Sequence, residues 1–342
     1  MERSATWIVG LAALVALVAS SCAESGNAAD ALRRTGMIAF ERIGHGRAHL
    51  FVVNADGSDQ RELTSGSGWD SHPDWSPDGK TIVYAHEHPT VGRRPRSNIL
   101  AIEPRGRGRV RVTNARRQEQ EPDWSPRGRA VAFIRDFDLY VTNLNGTTPR
   151  RLTRLRSVSE LAWSPDGTRI AFSLWKYPGG IRVINADGSG LRRLRMGLPG
   201  TGIWSPVWSP DGRKLAFQTG SGSGPGRIFV IDIDGSHRRQ LTRRAAADAG
   251  LAWSPDGRKI IYERARGGGI YAIDGNGTHD RRLTRLNGEG FSWSPDAHAI
   301  AFSCRDSGHG DIYVMNPDGS GPRRLTHTPE DDSEPIWSPK RR

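Results

Sequence analysis

The chain has 342 residues, and its 49 Lys and Arg residues outnumber its 37 Asp and Glu residues to give a formal charge of +12 at pH 7. Its two cysteines, Cys22 and Cys304, exclude an intrachain disulfide framework, because Cys22 stands at the end of an N-terminal leader. No stretch within 36–340 is apolar enough to span a membrane.

Residues 1–22 predict a signal peptide, because Arg3 precedes an apolar run that is too short for a spanning helix. Small residues directly before Cys22 resemble a lipobox, in which this cysteine becomes the lipidated first residue. The alternative is plain cleavage near this point followed by secretion. Residues 23–35 then form a polar tether, and both alternatives predict an extracytoplasmic protein in the periplasm or at the cell surface.

From residue 36 onward the chain repeats one unit. Trp-Ser-Pro recurs at intervals of 39 to 49 residues, and a period near forty with strand-like content is typical of a propeller, in which one small sheet cannot bury its faces alone. The tryptophans that begin these motifs are Trp75, Trp124, Trp163, Trp208, Trp253, Trp293 and Trp337.

Each unit predicts four strands. Ser-Pro-Asp-Gly predicts a hairpin, since Pro presets φ and Gly accepts the left-handed position. A short apolar run such as 170–172 then forms the second strand, and a third strand such as 181–184 ends in another Asp-Gly turn. A short fourth strand ends in Leu-Thr, as at 152–153. Four strands per unit make a propeller blade.

The chain enters on a second strand at 36–40 and leaves on a Trp strand at 334–337. We therefore predict an all-β fold, a seven-bladed β-propeller of four-stranded antiparallel blades over residues 36–342. The C-terminal strand is expected to pair with the N-terminal blade, which leaves the ring without a free edge.

The unit W-S-P-D-G…I-A-F…I-Y-V-x-N-x-D-G…R-R-L-T resembles the repeat of the TolB family, a WD-repeat-like propeller of bacterial envelopes. The resemblance covers roughly residues 36 to 340. TolB itself resembles a six-bladed ring preceded by an α/β domain, whereas this chain has seven repeats and no such domain. The resemblance therefore implies family membership, not TolB itself.

Loops that lead into the Trp strands are expected to gather at the mouth of the central channel, so polar residues there are candidate ligand-binding residues. Acidic groups recur at this place, and they either bind a ligand or hydrogen-bond the neighbouring backbone. The candidate residues are His72, Glu121, Glu160, Trp204, Asp248, Glu289 and Glu334.

Arginine pairs recur just before the predicted fourth strands. They either blunt solvated edge strands or attract an anionic envelope polymer or lipid surface. The pairs are Arg150 with Arg151, Arg192 with Arg193, Arg238 with Arg239, Arg281 with Arg282, and Arg323 with Arg324.

No Gly-x-Ser-x-Gly elbow and no additional hydrolase domain accompany the repeats. His86 and His88 belong to an outer loop without an HExxH helix, so neither a metal nor a cofactor is expected. We predict a monomeric, non-catalytic scaffold that binds an envelope protein or an anionic envelope polymer. It would bind no nucleic acid and would touch the membrane only through a lipid anchor. The alternative is a propeller-type polysaccharide lyase that uses His72, or a glycan-binding protein.

Overall fold

The computed structural model describes residues 36–89, 96–144, 149–176, 179–198, 202–220, 226–242, 250–264, 268–306 and 308–340. Within these ranges every regular element is a β-strand, and there are 28 of them. The same ranges contain no helix with the length and apolarity needed to cross a membrane. The predicted signal peptide, its Cys22 and the tether lie outside the described residues.

Sheet 1 has eight strands in two halves. The first half contains β28 (Asp331–Trp337), β1 (Met37–Gly44), β2 (Arg47–Asn54) and β3 (Arg61–Glu62). The second half contains β4 (Trp69–Trp75), β5 (Ile82–His88), β6 (Arg96–Ile102) and β7 (Val110–Arg111). One parallel pair, Ala48 with Trp69, joins the halves. Strand β28 runs antiparallel to β1, with Trp337 opposite Ile38, so the two ends of the described chain share one sheet.

Five further antiparallel sheets of four strands follow in chain order. Sheet 2 contains β8 (Glu119–Trp124), β9 (Val131–Arg135), β10 (Asp138–Thr142) and β11 (Arg150–Arg151). Sheet 3 contains β12 (Val158–Trp163), β13 (Arg169–Leu174), β14 (Gly180–Asn185) and β15 (Arg192–Arg193). Sheet 4 contains β16 (Gly202–Trp208), β17 (Lys214–Gly220), β18 (Arg227–Asp232) and β19 (Arg239–Gln240).

Sheet 5 contains β20 (Leu251–Trp253), β21 (Lys259–Glu263), β22 (Ile270–Asp274) and β23 (Arg281–Thr284). Sheet 6 contains β24 (Gly288–Trp293), β25 (Ile300–Cys304), β26 (Asp311–Met315) and β27 (Arg323–Arg324). The described fold is therefore all-β, and its four-stranded antiparallel sheets resemble propeller blades.

The Ser-Pro-Asp-Gly hairpin closes through its own side chains. In sheet 3 the Ser164 hydroxyl donates to Asp166 Oδ1 over 2.6 Å, and the same oxygen accepts the main-chain N–H of Thr168 over 3.0 Å. Gly167 takes a φ of 62° and donates its N–H to the Ser164 carbonyl over 2.7 Å. The predicted turn chemistry is therefore the chemistry that joins the first two strands.

The Leu-Thr pair was predicted to end the fourth strand, but in sheet 2 it lies outside that strand. In sheet 2 the fourth strand ends at Arg151, so Leu152 and Thr153 lie just beyond it. Thr153 Oγ1 accepts the main-chain N–H of Leu139 over 2.9 Å, which satisfies a main-chain donor of the third strand. The threonines that accept the same bond are Thr64, Thr113, Thr153, Thr242 and Thr326.

The hydrophobic core lies between neighbouring sheets. Ile170 and Phe172 of sheet 3 are fully buried in one cluster with Ala132 and Leu139 of sheet 2. Another cluster joins the first half of sheet 1 to sheet 6, and it contains Ile38, Phe40, Val53, Ala301, Ile312 and Trp337. No sheet buries its apolar faces alone, which is the physical requirement of a stacked repeat.

Four of the five arginine pairs lie within the fourth strands, not before them as predicted, whereas Arg238 of the remaining pair directly precedes β19. Arg150 Nη2 donates to the main-chain oxygen of Ala186, in the third-to-fourth-strand turn of the next sheet, over 2.7 Å. Equivalent bonds from one sheet to the turn of another are made by Arg192 to Ile233, Arg239 to Asn276, Arg281 to Asp318, and Arg323 to Asp56. These arginines therefore connect sheets, in addition to charging the edges.

Candidate functional site

The seven strands that end in the repeat tryptophans form one inner surface. Each is an edge strand of its sheet or half-sheet, and neighbouring members contact one another. The inner-surface strands are β4, β8, β12, β16, β20, β24 and β28. Indole N–H groups reinforce these contacts: Trp75 Nε1 donates to the Ile336 carbonyl over 3.2 Å and Trp208 Nε1 to the Ala162 carbonyl over 3.0 Å.

The described candidate residues lie in these strands, whereas the sequence interpretation assigned them to loops. The strands and the candidates they carry are β4 with His72, β8 with Glu121, β12 with Glu160, β16 with Trp204, β24 with Glu289 and β28 with Glu334. Asp248 lies outside the described residues. The side chains therefore start from hydrogen-bonded strands, which hold them more firmly than loop tips would.

Three of these residues occupy strained backbone positions. His72, Glu121 and Glu334 have φ values of 54°, 53° and 55°, in the left-handed region. Register shifts mark bulges at these places, and a bulge redirects a side chain out of the regular alternation. Gly250 and Gly290 take the same position in two other repeats, where no such strain arises, and Ser205 takes it in a third at a φ of 51°. Retention of ionisable residues in a glycine-type position is a feature of functional sites.

His72 is the centre of a charged cluster. Its Nε2 lies 3.1 Å from Glu121 Oε1, and its main-chain N–H donates to Glu41 Oε1 over 2.5 Å. Burial by itself lowers the pKa of His72. The hydrogen bond and charge of Glu121, together with the charges of Glu41 and Glu334, outweigh burial and raise this pKa to about 9. His72 is therefore an imidazolium at neutral pH.

Two carboxyl groups next to His72 are protonated more readily than usual. Burial raises the pKa of Glu41 to about 7, although the charge of His72 opposes the rise. Burial also raises the pKa of Glu334; His72 lowers it, while the charges of Glu121 and Glu289 raise it further. Glu41 escaped the sequence analysis because it lies on β1, away from any Trp motif. The available signal was an acid directly after the apolar run 38–40, a feature that only Glu263 shares among the other repeats.

Glu160 and Trp204 are held by the protein itself. The Glu160 carboxylate accepts the main-chain N–H of Ser205 and, over 3.1 Å, the hydroxyl of Ser173. Burial raises the pKa of Glu160 despite these bonds. The Trp204 indole N–H donates to Gln218 Oε1 over 3.2 Å. Glu160 thus matches the backbone-bonding alternative, whereas Glu121 and Glu334 interact with His72.

A second pair of carboxyl groups, Asp74 and Asp123, lies directly before two of the repeat tryptophans. Asp74 accepts the main-chain N–H of Trp124 over 2.6 Å, Asp123 accepts that of Trp163 over 2.9 Å, and the two side chains are hydrogen-bonded to each other. Burial raises the pKa of Asp74 to about 7, and burial with repulsion from Asp74 raises that of Asp123. The pair therefore retains a proton that isolated carboxylates would lose.

No group of three His, Cys, Asp or Glu side chains among the described residues is arranged to hold a metal ion. His86 and His88 lie in strand β5, and the prediction of an outer loop there is wrong. His86 Nδ1 is 2.6 Å from Asp70 Oδ1, and His88 Nε2 is 3.0 Å from Asn98 Oδ1. Both imidazoles thus have protein partners.

Two family profiles match parts of the chain. The profile described as the TolB beta propeller domain matches residues 189–292, and that of the dipeptidyl peptidase IV N-terminal region matches residues 76–174. TolB of Geobacter sulfurreducens is 42% identical over 82 residues, which are 23% of this chain and 19% of that protein. The uncharacterized peptidase YuxL of Bacillus subtilis is 42% identical over 48 residues, 14% of this chain and 7% of that protein. The chain thus spans less than a fifth of the length of these relatives.

Similarity to solved structures extends over more of the chain than the sequence matches do. An oligogalacturonate lyase in complex with manganese has a TM-score of 0.67 at 17% identity, over 83% of this chain and 87% of the other. TolB from Acinetobacter baumannii has a TM-score of 0.57 at 19% identity, over 86% and 79%. A puromycin-hydrolyzing peptidase from Mycobacterium tuberculosis has a TM-score of 0.63 at 15% identity, over 88% and 55%.

The sheets and the inner surface thus define a propeller-type repeat protein, a fold that TolB, a lyase and peptidases share. Since proteins with that fold include both binding proteins and enzymes, the fold alone does not indicate which of the two this protein is. The chain thus contains TolB-like propeller repeats, and the short aligned segments do not identify it as TolB itself.

Proposed function

We propose that residues 36–342 form a closed seven-bladed propeller in which each half of sheet 1 is one blade. The antiparallel pairing of β28 with β1 supports this arrangement, as does the shared core of sheet 6 and the first half of sheet 1. The inner surface would then line a central channel. Deletion of 334–342 should expose an unpaired edge and promote aggregation, and an unchanged melting temperature and monodisperse behaviour would contradict closure by this strand.

Within that ring, the protein acts as a non-catalytic scaffold that binds an envelope protein through the inner surface. The observation that carries this proposal is the cluster of Glu41, Glu121 and Glu334 around His72, with Glu289 next to Glu334 and with Glu121 and Glu334 in left-handed positions. Carboxylates in a narrow channel focus negative potential, so a cationic segment would be attracted and held by charge-assisted hydrogen bonds. Trp204 supplies an aromatic anchor of the kind found at interface hot spots.

The test is a binding measurement on the partner that wild-type protein retains from envelope extract. Glu121→Gln and Trp204→Ala should weaken its binding without lowering the melting temperature, and affinity should fall as salt rises. Glu103→Gln is the matched control, because Glu103 is an exposed acid in the turn after β6. The proposal would be contradicted if both inner-surface variants bound like the wild type while variants of the fourth-strand arginines lost binding. That result would assign binding to the outer rim and would favour an anionic envelope polymer as the partner.

The proposed location is extracytoplasmic, in the periplasm or at the cell surface, with a monomeric propeller anchored through lipidated Cys22. The short apolar leader with small residues before Cys22 supports this proposal. Cys22→Ser should release the protein from membrane fractions and leave its melting temperature unchanged. Equal membrane association of the variant and the wild type would contradict the lipid anchor.

A second candidate function is a polysaccharide lyase or a glycan-binding protein. The specific observation in its favour is the His72–Glu121 pair, a positioned acid and base on the inner surface of a fold shared with oligogalacturonate lyases. Because the pKa of His72 is raised to about 9, an imidazole that acts as a base would gain activity as pH rises toward that value. Release of an unsaturated uronate product that disappears in His72→Asn would select the lyase over the scaffold.

A further inference from the structure

Two aromatic rings project into solvent from neighbouring sheets. The Phe137 side chain is 44% exposed and that of Trp175 is 57% exposed. Their ring centroids are 5.8 Å apart at an interplanar angle of 60°. Exposed large apolar side chains usually stand singly, whereas a contacting pair marks a surface with a binding role.

The backbone under Phe137 is strained in a way that a structural role does not explain. Asp136 and Phe137 form the two-residue turn between β9 and β10, with φ values of 48° and 62°. A hairpin turn with two positive φ values favours Asn-Gly, and a bulky aromatic is unfavourable at its second position. The matching turn between β1 and β2 has His45 and Gly46 at φ values of 51° and 72°. Phe137 thus replaces the glycine that the geometry favours.

One short segment fixes the positions of both rings. The Phe137 carbonyl accepts the main-chain N–H of Val158 over 2.9 Å, and Ser157, the residue before it, accepts through its carbonyl the N–H of Trp175 over 3.0 Å. Phe137 and Trp175 follow the second strands of sheets 2 and 3. They therefore lie at the end of the molecule where β8 and β12 begin.

Positive charge surrounds the pair. Arg117 is 67% exposed and pairs with Asp136 over 2.5 Å, an exposed contact of small energetic value that a ligand can replace. Arg156 is exposed and lies two residues before Val158. Lys176 is exposed, with its Nζ 5.3 Å from the centroid of the Trp175 ring. Arg117 and Lys176 thus contact the turn and ring of the pair, and Arg156 lies on the segment that fixes both rings. These residues and the two rings define the aromatic–basic patch.

The size of the patch limits the occupant. Two half-exposed aromatic rings offer roughly 200 Å² of apolar surface, whereas a stable protein interface buries about 800 Å² per partner around a desolvated core. One or two sugar rings fit this area, because a sugar presents an apolar C–H face to an aromatic ring. Guanidinium groups bind carboxylates bidentately, and uronic acids carry those carboxylates.

We propose that the aromatic–basic patch of Phe137, Trp175, Arg117, Arg156 and Lys176 binds an acidic polysaccharide. This site goes beyond the scaffold function proposed for the inner surface and does not depend on it. The ring faces select for sugar, the cations select for uronate carboxylates, and the strained turn holds the Phe137 ring exposed.

The experiment measures binding of the full chain to immobilised polygalacturonate and alginate at about 0.15 M salt, where long-range charge effects are screened. Trp175→Ala and Phe137→Gly should each weaken binding at least about tenfold, as removal of an aromatic hot spot does. Phe137→Gly should leave the melting temperature unchanged or higher, which separates lost binding from lost fold. Leu191→Ala, an equally exposed apolar change at the opposite end of its sheet, is the control.

Glu103→Gln, which changes an exposed acid outside both the patch and the inner surface, should bind both polymers like the wild type. Absence of binding to both polymers would overturn the proposal. Equal binding by Trp175→Ala and wild type would also overturn it. Competition by poly-glutamate as strong as that by polygalacturonate would show a surface for acidic protein, not for sugar.

Discussion

The guanidinium of Arg323 donates to the main-chain oxygen of Asp56, which lies 267 residues earlier in the chain, over 2.7 Å. Arg323 belongs to the last fourth strand, and Asp56 belongs to the third-to-fourth-strand turn of the first half of sheet 1. Arg150 makes the same kind of bond between two consecutive sheets. The Arg323 bond therefore joins distant parts of the chain in the way that Arg150 joins neighbouring parts. A carbonyl that accepts a charged donor forms one of the stronger hydrogen bonds in a protein.

Arg323→Ala should therefore destabilise the protein by about 1–3 kcal/mol, since it removes charge-assisted bonds between the chain ends. Urea unfolding measures the change. Arg281→Ala is the matched control, because its bond to the Asp318 carbonyl is longer, at 3.4 Å, and should contribute less. Equal losses in both variants would mean that the arginines act through charge alone.

Glu41 gives the protein a defined pH dependence. Its folded pKa is raised from 4.5 to about 7, so between these values the folded state holds a proton that the unfolded state has lost. Its contribution to stability therefore falls as pH rises from 4.5 to 7. Glu41→Gln should remove this fall and gain about 1–3 kcal/mol relative to wild type by pH 8. Thermal melts at pH 5 and pH 8 measure it, and a constant difference between the two proteins would contradict the raised pKa.

Asp70 has His86 as its closest partner and Arg109 more distant at 4.0 Å, whereas the equivalent Asp332 is bound directly by an arginine. Asp332 lies five residues before Trp337 and binds Arg42 bidentately over 2.7 and 2.9 Å. Asp70, buried and five residues before Trp75, has His86 in the place of that arginine. His86→Ala should cost about 2–4 kcal/mol, because it leaves a buried carboxylate without its closest donor.

His86→Arg should retain most of that stability at pH 7, since guanidinium replaces imidazole opposite Asp70. Chemical unfolding of both variants distinguishes charge from packing. If His86→Arg is as unstable as His86→Ala, the shape of the imidazole and not its hydrogen bond holds this site together.

The sequence predicted the parts of the fold that local chemistry specifies. Ser164 and Asp166 close their turn within three residues, so the motif alone indicates the hairpin. The second strands were equally predictable, because their apolar runs are continuous. Contacts across sheets carry no such signal: Glu41 meets His72 over 31 residues, and the acceptor of Arg323 is a carbonyl that every residue possesses.

The candidate residues were predictable by type but not by position. A bulge inserts an extra residue into a strand and rotates the side chain, and the sequence letters do not reveal which residue adopts a positive φ. His72 and Glu121 thus lie within the Trp strands, whereas they were expected in the loops that lead into those strands. The repeat comparison contained one usable signal, the glycines at 250 and 290 in the same position.

That position supports a final prediction that separates stability from binding. Glu334 has a φ of 55°, whereas Gly290 occupies the equivalent place in sheet 6 at 63°. Glu334→Gly should relieve backbone strain and remove a carboxyl group whose pKa is raised by desolvation and by the charges of Glu121 and Glu289, so stability should rise by about 1 kcal/mol. Glu334→Ala removes the same charge but keeps the strain, so it should fall between glycine and wild type.

Both variants should lose affinity for the partner proposed for the inner surface, because both lack the Glu334 carboxylate. Chemical unfolding and binding measured on the same preparations check the two halves of this prediction. Unchanged affinity in a stabilised Glu334→Gly protein would show that the Glu334 carboxylate takes no part in binding. Lost affinity together with a gain in stability would instead show that the chain retains a strained residue for its charge.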